Sequence, residues 1–257
     1  MIFLLGGNGF VGSALRRLIE QQGLDLVVLT RENYESHVGS ACDVFLNANG
    51  NSKKFMANRD PLWEFDASVR SVAKSLEDFK STQYIHLSTG DVYPRQDKPE
   101  FTLESDTLDP TRMSRYGLHK YIAETLVRGA RPDALIFRMG GFVGPHLKKN
   151  AIFDMLNNAP VWLDPASELQ FISTDKAAEI IWTLTEGGNW GETFNLGAKG
   201  TAKLSEIHKR LRSESEFTPD AALVKFEIST DKLERAYGHA LPSTQLEIET
   251  FFQVLDR

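Results

Sequence analysis

The sequence predicts an α/β protein: a doubly wound parallel sheet followed by a small C-terminal lobe. Three observations carry that expectation. Short apolar runs alternate with segments of helical spacing through the first half of the chain. The first run ends in a cluster of glycines, with a helix pattern directly behind it. Beyond Pro145 the alternation becomes irregular.

Ile2-Phe3-Leu4-Leu5 is apolar throughout and short, as suits a strand buried on both faces. Val11, Leu15, Leu18, Ile19 and Gln22 then follow helical spacing, and Gly23 supplies a C-terminal stop. Leu26 to Leu29 and Val44 to Leu46 read as the second and third strands, joined by a short stretch from Thr30 to Asp43. Pro61 to Phe79 carries a helix pattern with Val69, Val72, Ala73 and Leu76 on one stripe. Tyr84 to Leu87 is a fourth strand, Ser114 to Val127 a long helix, and Ala134 to Phe137 a fifth strand. Residues 146–170 read as an exposed segment with one short helix. Asp175 to Leu184 is helical, and Thr193 to Leu196 makes a sixth strand. Leu204, Ile207 and Leu211 mark another helix, and the tail from Asp231 reads as two helices split by Pro242.

Composition sets outer bounds. The 257 residues are 41% hydrophobic and 25% charged, in the range of ordinary globular chains and long enough for a sizeable core. A net charge of -6 argues against a nucleic-acid partner, since duplex binders carry a basic face. The single cysteine, Cys42, rules out an intrachain disulfide and reads as a buried structural thiol. None of the six histidines stands in metal-ligand spacing, so no metal site is expected. No stretch reaches the roughly 18 apolar residues of a membrane helix, and the N-terminus does not read as a leader. The expectation is a cytoplasmic protein with no membrane partner.

Gly6-Gly7-Asn8-Gly9-Phe10-Val11-Gly12 lies between a predicted strand and a predicted helix. Glycines there allow a tight turn, close backbone approach to a pyrophosphate, and close helix–strand packing. The helix start adds free N–H groups and a positive dipole end. Gly6, Gly9, Phe10, Val11 and Gly12 are therefore candidate cofactor-binding residues. Residues 1–145 form the expected dinucleotide-binding core. Residues 146–257 hold the remaining sheet elements interleaved with a small substrate-binding lobe. After the second strand stands Thr30-Arg31-Glu32, with no acid at the strand end. An arginine there can accept a 2′-phosphate, so Arg31 points to NADP, with NAD as the alternative. The opposing reading is a solvated loop arginine beside an acid that would repel phosphate.

Tyr116 and Lys120 are four residues apart on a predicted helix, hence on one face. An ammonium beside a phenol stabilises the phenolate, and a tuned tyrosine can exchange a proton with a carbonyl or alcohol. Such a pair also arises by chance on solvated faces. Thr89 ends the fourth strand, where ligands of open parallel sheets bind, and could hydrogen-bond a substrate oxygen.

With GGNGFVG at 6–12, HLSTGDVY at 86–93, YGLHK at 116–120, FRMGGFVGP at 137–145, FISTDKAA at 171–178 and GETFNLG at 191–197, nearly the whole chain resembles the extended branch of the short-chain dehydrogenase/reductase superfamily, built on a Rossmann fold. The resemblance implies a nicotinamide cofactor on the glycine turn, with Asn47 and Ala48 passing close to it. It implies Tyr116 as acid/base and Lys120 as the residue that lowers its pKa and holds the nicotinamide ribose. Thr89 would orient the substrate carbonyl, and the Tyr116 helix would pair in a homodimer. Gly90 and Asp91 replace the Asp-Glu pair of dehydratases, which disfavours elimination of water. Gly141 stands at an asparagine slot, and Leu169-Gln170 at an arginine slot, of members that grip a sugar-nucleotide diphosphate. The expected function is reduction or epimerisation at a carbonyl or alcohol carbon of a small molecule, foremost a keto-sugar, free or nucleotide-linked. A non-catalytic NAD(P) sensor of the same fold is the alternative. Trp162 and Phe171 are candidates for either a substrate pocket or the core.

Overall fold

A computed structural model describes residues 1–255. In chain order its strands are β1 (Ile2–Leu5), β2 (Leu26–Leu29), β3 (Ala41–Asn47), β4 (Lys80–Thr89), β5 (Leu135–Met139), β6 (Gly141–Val143), β7 (Glu168–Leu169), β8 (Phe171–Ser173), β9 (Thr193–Leu196), β10 (Ala202–Lys203) and β11 (Lys225–Phe226). Its helices are α1 (Phe10–Gln21), α2 (Met56–Arg59), α3 (Pro61–Phe65), α4 (Ser71–Asp78), α5 (Arg115–Ala130), α6 (Ala151–Leu156), α7 (Thr174–Glu186), α8 (Leu204–Leu211), α9 (Asp231–Tyr237) and α10 (Thr244–Leu255).

Six strands form a wholly parallel sheet in the order β2-β1-β3-β4-β5-β9. The chain leaves β1 towards one edge and returns past it to β3, so the winding direction reverses between β1 and β3. Ligands of open α/β sheets bind beyond the strand ends at such a reversal. Both faces are covered, which is why the strands read as continuous apolar runs. On one face Leu4, Leu46, Ile85 and Phe137 pack with Leu15 and Ile19 of α1 and Ile180 and Ile181 of α7. On the other, Phe3, Phe45 and Tyr84 meet Val72 of α4 and Ala123 and Val127 of α5.

The lobe beyond residue 145 has its own core of Val143, Ile152, Met155, Phe171, Leu204, Ile207, Phe251 and Phe252. A three-stranded sheet, β10-β7-β11, and the parallel pair β6-β8 frame it. The chain passes back to the main sheet through α7 and β9. Phe171 is 2% exposed and belongs to this core, whereas Trp162 is 70% exposed.

Three local differences from the sequence reading have physical causes. The helix expected over residues 61–79 is divided into α3, a π-helical turn at Asp66–Arg70, and α4. Such π turns mark places where a helix is re-aimed, often beside a functional site. Residues 30–40 cross from β2 to β3 with only a 3₁₀ turn at Glu35–His37, where a parallel crossover usually carries an α-helix. The strands β6, β7, β8, β10 and β11 have two or three residues each, too few for a period-2 signal. No described helix is long and apolar enough to cross a membrane.

Candidate active site

The three glycines of the first turn have separable roles. Gly6 adopts φ +85°, and a Cβ there would lie 2.7 Å from the Ala48 carbonyl carbon and oxygen. A Cβ on Gly12 would sit 2.2 Å from the Gly6 carbonyl oxygen, so only glycine lets α1 approach the turn. Gly9 has an ordinary φ of -78°, and its Cβ would meet only the Gly6 oxygen, at 3.1 Å. It is the position left for backbone approach by a ligand. Gly9 N-caps α1 without a side-chain cap, so the N–H groups of the first turn before Ser13, whose own N–H donates to the Gly9 carbonyl at 2.8 Å, have no cap partner. This cradle fits the pyrophosphate of a dinucleotide. Asn47 does not reach outward. Its amide donates to Ser75 Oγ (3.2 Å) and Tyr84 Oη (2.9 Å), and its carbonyl accepts the Asn49 N–H (3.1 Å). It fixes the exit of β3, and the Ala48–Asn49 backbone forms the second wall beside the glycine turn. Arg31 is exposed and makes no ion pair among the described residues. A hydrogen bond with Thr30 holds the exposed Glu32 carboxyl below its usual range.

Thr89, Tyr116 and Lys120 converge at the C-terminal end of β4. Helix α5 starts at the Ser114 cap, whose Oγ accepts the Gly117 N–H at 3.0 Å. Gly117 brings α5 onto the turn after β4, since a Cβ there would lie 2.1 Å from the Asp91 carbonyl oxygen. Tyr116 and Lys120 then share the buried face of α5, 8% and 4% exposed. The Tyr116 hydroxyl donates to the Asn51 carbonyl at 3.0 Å, and Lys120 Nζ donates to the Leu87 carbonyl at 3.2 Å. Lys120 Nζ also lies 3.3 Å from where a Gly50 Cβ would stand. The loop after β3 thus lies against both residues.

Burial lowers the Lys120 pKa to about 8, against the opposing pull of Glu124 and Glu64. Burial likewise drives Tyr116 above the ordinary phenol value, and the carboxylates of Asp91 and Glu64 push it the same way. The sequence reading has Lys120 lowering this pKa. Among the protein's own groups burial and these two carboxylates set the opposite direction, and the phenol is kept protonated. Thr89 Oγ1 donates to Asp91 Oδ2 at 2.9 Å and accepts the Asp91 N–H at 3.2 Å.

Several residues of the site escape sequence reasoning. Asp91 pairs with Lys54 at 2.7 Å. Glu64 is fully buried and meets His119 and Ser68, where α3 faces α5. Its signal was spacing, because Glu64, Ser68 and Val72 form one buried stripe at intervals of four. Behind Thr89, Glu124 accepts from Ser88 Oγ (2.5 Å) and from Arg138 Nη2 (2.9 Å), and Arg138 Nη1 donates to Tyr93 Oη (2.9 Å). Gln170 offers nothing to a substrate diphosphate. Its amide nitrogen donates to the carbonyls of Ala198 (2.7 Å) and Ile228 (3.1 Å), and its oxygen accepts the Ile228 N–H (3.1 Å). Gly141 has no room for a longer side chain, since a Cβ would lie 2.6 Å from the Gln170 carbonyl oxygen.

The sequence profile described as the RmlD substrate binding domain matches residues 1–161, which include the glycine turn, Thr89, Tyr116 and Lys120. The chain belongs to the extended short-chain dehydrogenase/reductase family. A comparison with curated protein sequences gave no match. The fold is shared along the whole length with solved members. A dTDP-4-dehydrorhamnose reductase from Clostridium acetobutylicum superposes with a TM-score of 0.81 at 14% identity, covering 100% of this chain and 99% of the other. Its counterpart from Bacillus anthracis, in complex with NADP, gives 0.80 at 16% identity, with 98% of each chain covered. A UDP-galactose 4-epimerase gives 0.77 at 20% identity, covering 99% of this chain and 98% of the other. The family is one of NAD(P)-dependent enzymes.

Proposed function

We propose that this protein is an NADP-dependent oxidoreductase that works on a carbonyl or alcohol carbon, with a keto-sugar as the expected substrate class. The observation that carries the reading is the convergence of Thr89, Tyr116 and Lys120 at the end of β4, one strand from the crevice beside the glycine turn. The NADP complex of the B. anthracis reductase supports the choice of cofactor, as does the exposed, unpaired Arg31. Gly6, Gly9, Phe10, Val11 and Gly12 would hold the pyrophosphate, Arg31 the 2′-phosphate and Lys120 the ribose of the nicotinamide. The cofactor, when bound, supplies or accepts the hydride.

The chain's own residues do the rest. Thr89 and Tyr116 hydrogen-bond the carbonyl oxygen and fix its orientation. A buried phenol with a raised pKa remains protonated at neutral pH and so is competent as the acid of a reduction. As the substrate carbon accepts hydride, the Tyr116 proton passes to the substrate oxygen, and the phenolate left behind is stabilised by the Lys120 ammonium. The Tyr116 O–H must first turn away from the Asn51 carbonyl. That intrachain contact also favours the second reading, a nucleotide sensor whose phenol serves as a loop anchor. Tyr116→Phe separates the two. As an enzyme, it should lose turnover of keto-sugars by roughly 10²-fold or more, read as NADPH oxidation, with NADP affinity unchanged. Full turnover in this variant would overturn the mechanism.

A further inference from the structure

Thr89 and Tyr116 each carry a hydroxyl proton, and the chain supplies an acceptor for both. The Tyr116 hydroxyl donates to the Asn51 carbonyl at 3.0 Å. The Thr89 hydroxyl donates to Asp91 Oδ2 at 2.9 Å and accepts the Asp91 N–H at 3.2 Å. The second of these contacts caps the 3₁₀ turn Gly90–Val92 and needs only a lone pair of Thr89. The first is not required by the cap. A carboxylate accepts and does not donate, so the Thr89 proton is committed to Asp91, and one lone pair of Oγ1 is left for a ligand. The two acceptors differ in strength, because Asn51 offers a neutral carbonyl and Asp91 a charged carboxylate. Asp91 is itself held, since Lys54 Nζ lies 2.7 Å from each of its carboxylate oxygens. Lys54 reaches it from the loop of Asn51, whose side chain fixes the turn by accepting the Lys53 N–H (2.7 Å) and donating to the Lys53 carbonyl (2.9 Å). The ammonium spans both oxygens and draws part of their accepting power away from Thr89.

The two forms of a substrate couple make opposite demands on Thr89. A carbonyl oxygen only accepts, so Thr89 must withdraw its proton from Asp91 to meet it. An alcohol brings its own proton, which the free lone pair of Thr89 accepts while Asp91 keeps its bond. We propose that Asp91 is a positioning residue that holds Thr89 as an acceptor and so favours the alcohol over the ketone in the site, with Lys54 moderating that hold. The inference rests on the proposed function and deepens it, because it states which form of the couple the site grips more tightly. Tyr116, bonded only to a neutral carbonyl, is the hydroxyl that gives up its proton more readily, in keeping with its role as the acid.

The experiment uses two matched ketone–alcohol pairs, dihydroxyacetone with glycerol and D-xylulose with xylitol, and takes a pair whose ketone the full chain reduces with NADPH. Calorimetry then gives the dissociation constants of the two non-reacting complexes, ketone with NADP bound and alcohol with NADPH bound. Asp91→Ala keeps the backbone cap and frees the Thr89 proton. It should move the ratio of the two constants about tenfold towards the ketone. Lys54→Met, at an exposed position, leaves Asp91 its full accepting power and should move the ratio several-fold the other way. A purely structural role would weaken both ligands alike, and such parallel weakening, or an unchanged ratio in Asp91→Ala, would overturn the proposal. Matched melting midpoints check that the variants fold. A second readout needs no ligand. The Thr89 hydroxyl proton, held by a carboxylate at a position 8% exposed, should exchange slowly with water and give a proton resonance that is lost in T89V and in D91A. Its absence from the wild-type spectrum would overturn the proposal. If the wild type reduced neither ketone, the proposed function would fail, while this resonance would still decide whether Asp91 holds the Thr89 proton.

Discussion

At the β4–α5 side of the sheet, Ser88, Tyr93, Glu124 and Arg138 close a buried hydrogen-bonded network behind Thr89 and Lys120. At the β2 edge, residues 30–40 cross to β3 on a 3₁₀ turn, and Arg31 and Glu32 stand in solvent. Both regions border the proposed cofactor crevice, yet the network buries its charged groups, whereas the crossover, pinned by Asn33 to Thr30 and Val28 and by Tyr34 against Phe79, leaves Arg31 and Glu32 exposed. Proton transfer tolerates little misplacement, so the reacting groups need their rotamers locked. An exposed phosphate contact can be made by a flexible arginine at modest cost in order.

The largest test of that contrast is to open the network. Glu124 and Arg138 are 0% and 3% exposed, and removal of one partner strands the other charge in the interior. Glu124→Ala is expected to cost about 3–5 kcal/mol, read by denaturant unfolding. It should also lower turnover by loosening α5 beneath Lys120. A loss under about 1 kcal/mol would mean that this end of the site is no more rigid than the β2 edge.

Lys120 supplies the next test. The unfolded lysine holds its proton to about pH 10.5, whereas burial lowers the folded value to about 8. Between these values the unfolded state binds more protons, so this residue makes the protein more stable as pH rises from about 8 towards 10. Below pH 8 the buried ammonium is a standing cost. Lys120→Met should flatten this slope and raise stability at neutral pH by about 2 kcal/mol, while abolishing turnover. An unchanged slope in unfolding experiments across pH 7–10 would show that Lys120 is solvated in the folded protein.

The same contrast governs what could be read in the sequence. The glycine turn was legible because its contacts are local: Gly12 meets Gly6 six residues away, in a strand–turn–helix frame that periodicity exposes. Tyr116 and Lys120 were legible because helical spacing alone puts them on one face. The strand runs of β1, β2, β3 and β5 were legible because they hold no polar interruption, whereas those of β4 and β9 carry the buried His86 and Asn195. Asp91 and Lys54 were not. Their environment is set by segments far apart in the chain, and a charged residue on a helix or loop ordinarily reads as solvated. Gln170 stands at the arginine slot of diphosphate-binding members, and its amide instead ties this position to residues 198 and 228. Asn47 likewise turned inward, because the end of β3 needs its hydrogen bonds more than a ligand does.

The smallest effect belongs to the open edge. Arg31→Ala removes an exposed, unpaired side chain, so stability should stay within about 0.5 kcal/mol of the parent. Binding should change selectively instead. NADP affinity should fall several-fold and NAD affinity should hold, because only the 2′-phosphate distinguishes them. The contact is solvent-exposed, so the NADP preference should shrink as ionic strength rises towards 1 M, where the Debye length is about 3 Å. Glu32 sharpens the argument. Its carboxylate is ionised next to Arg31 and would oppose a phosphate there. Glu32→Gln should therefore strengthen NADP binding while leaving NAD unchanged. Parallel weakening of both cofactors in Arg31→Ala would move the 2′-phosphate contact away from this edge. It would also leave residues 30–40 as a connection that only closes the sheet.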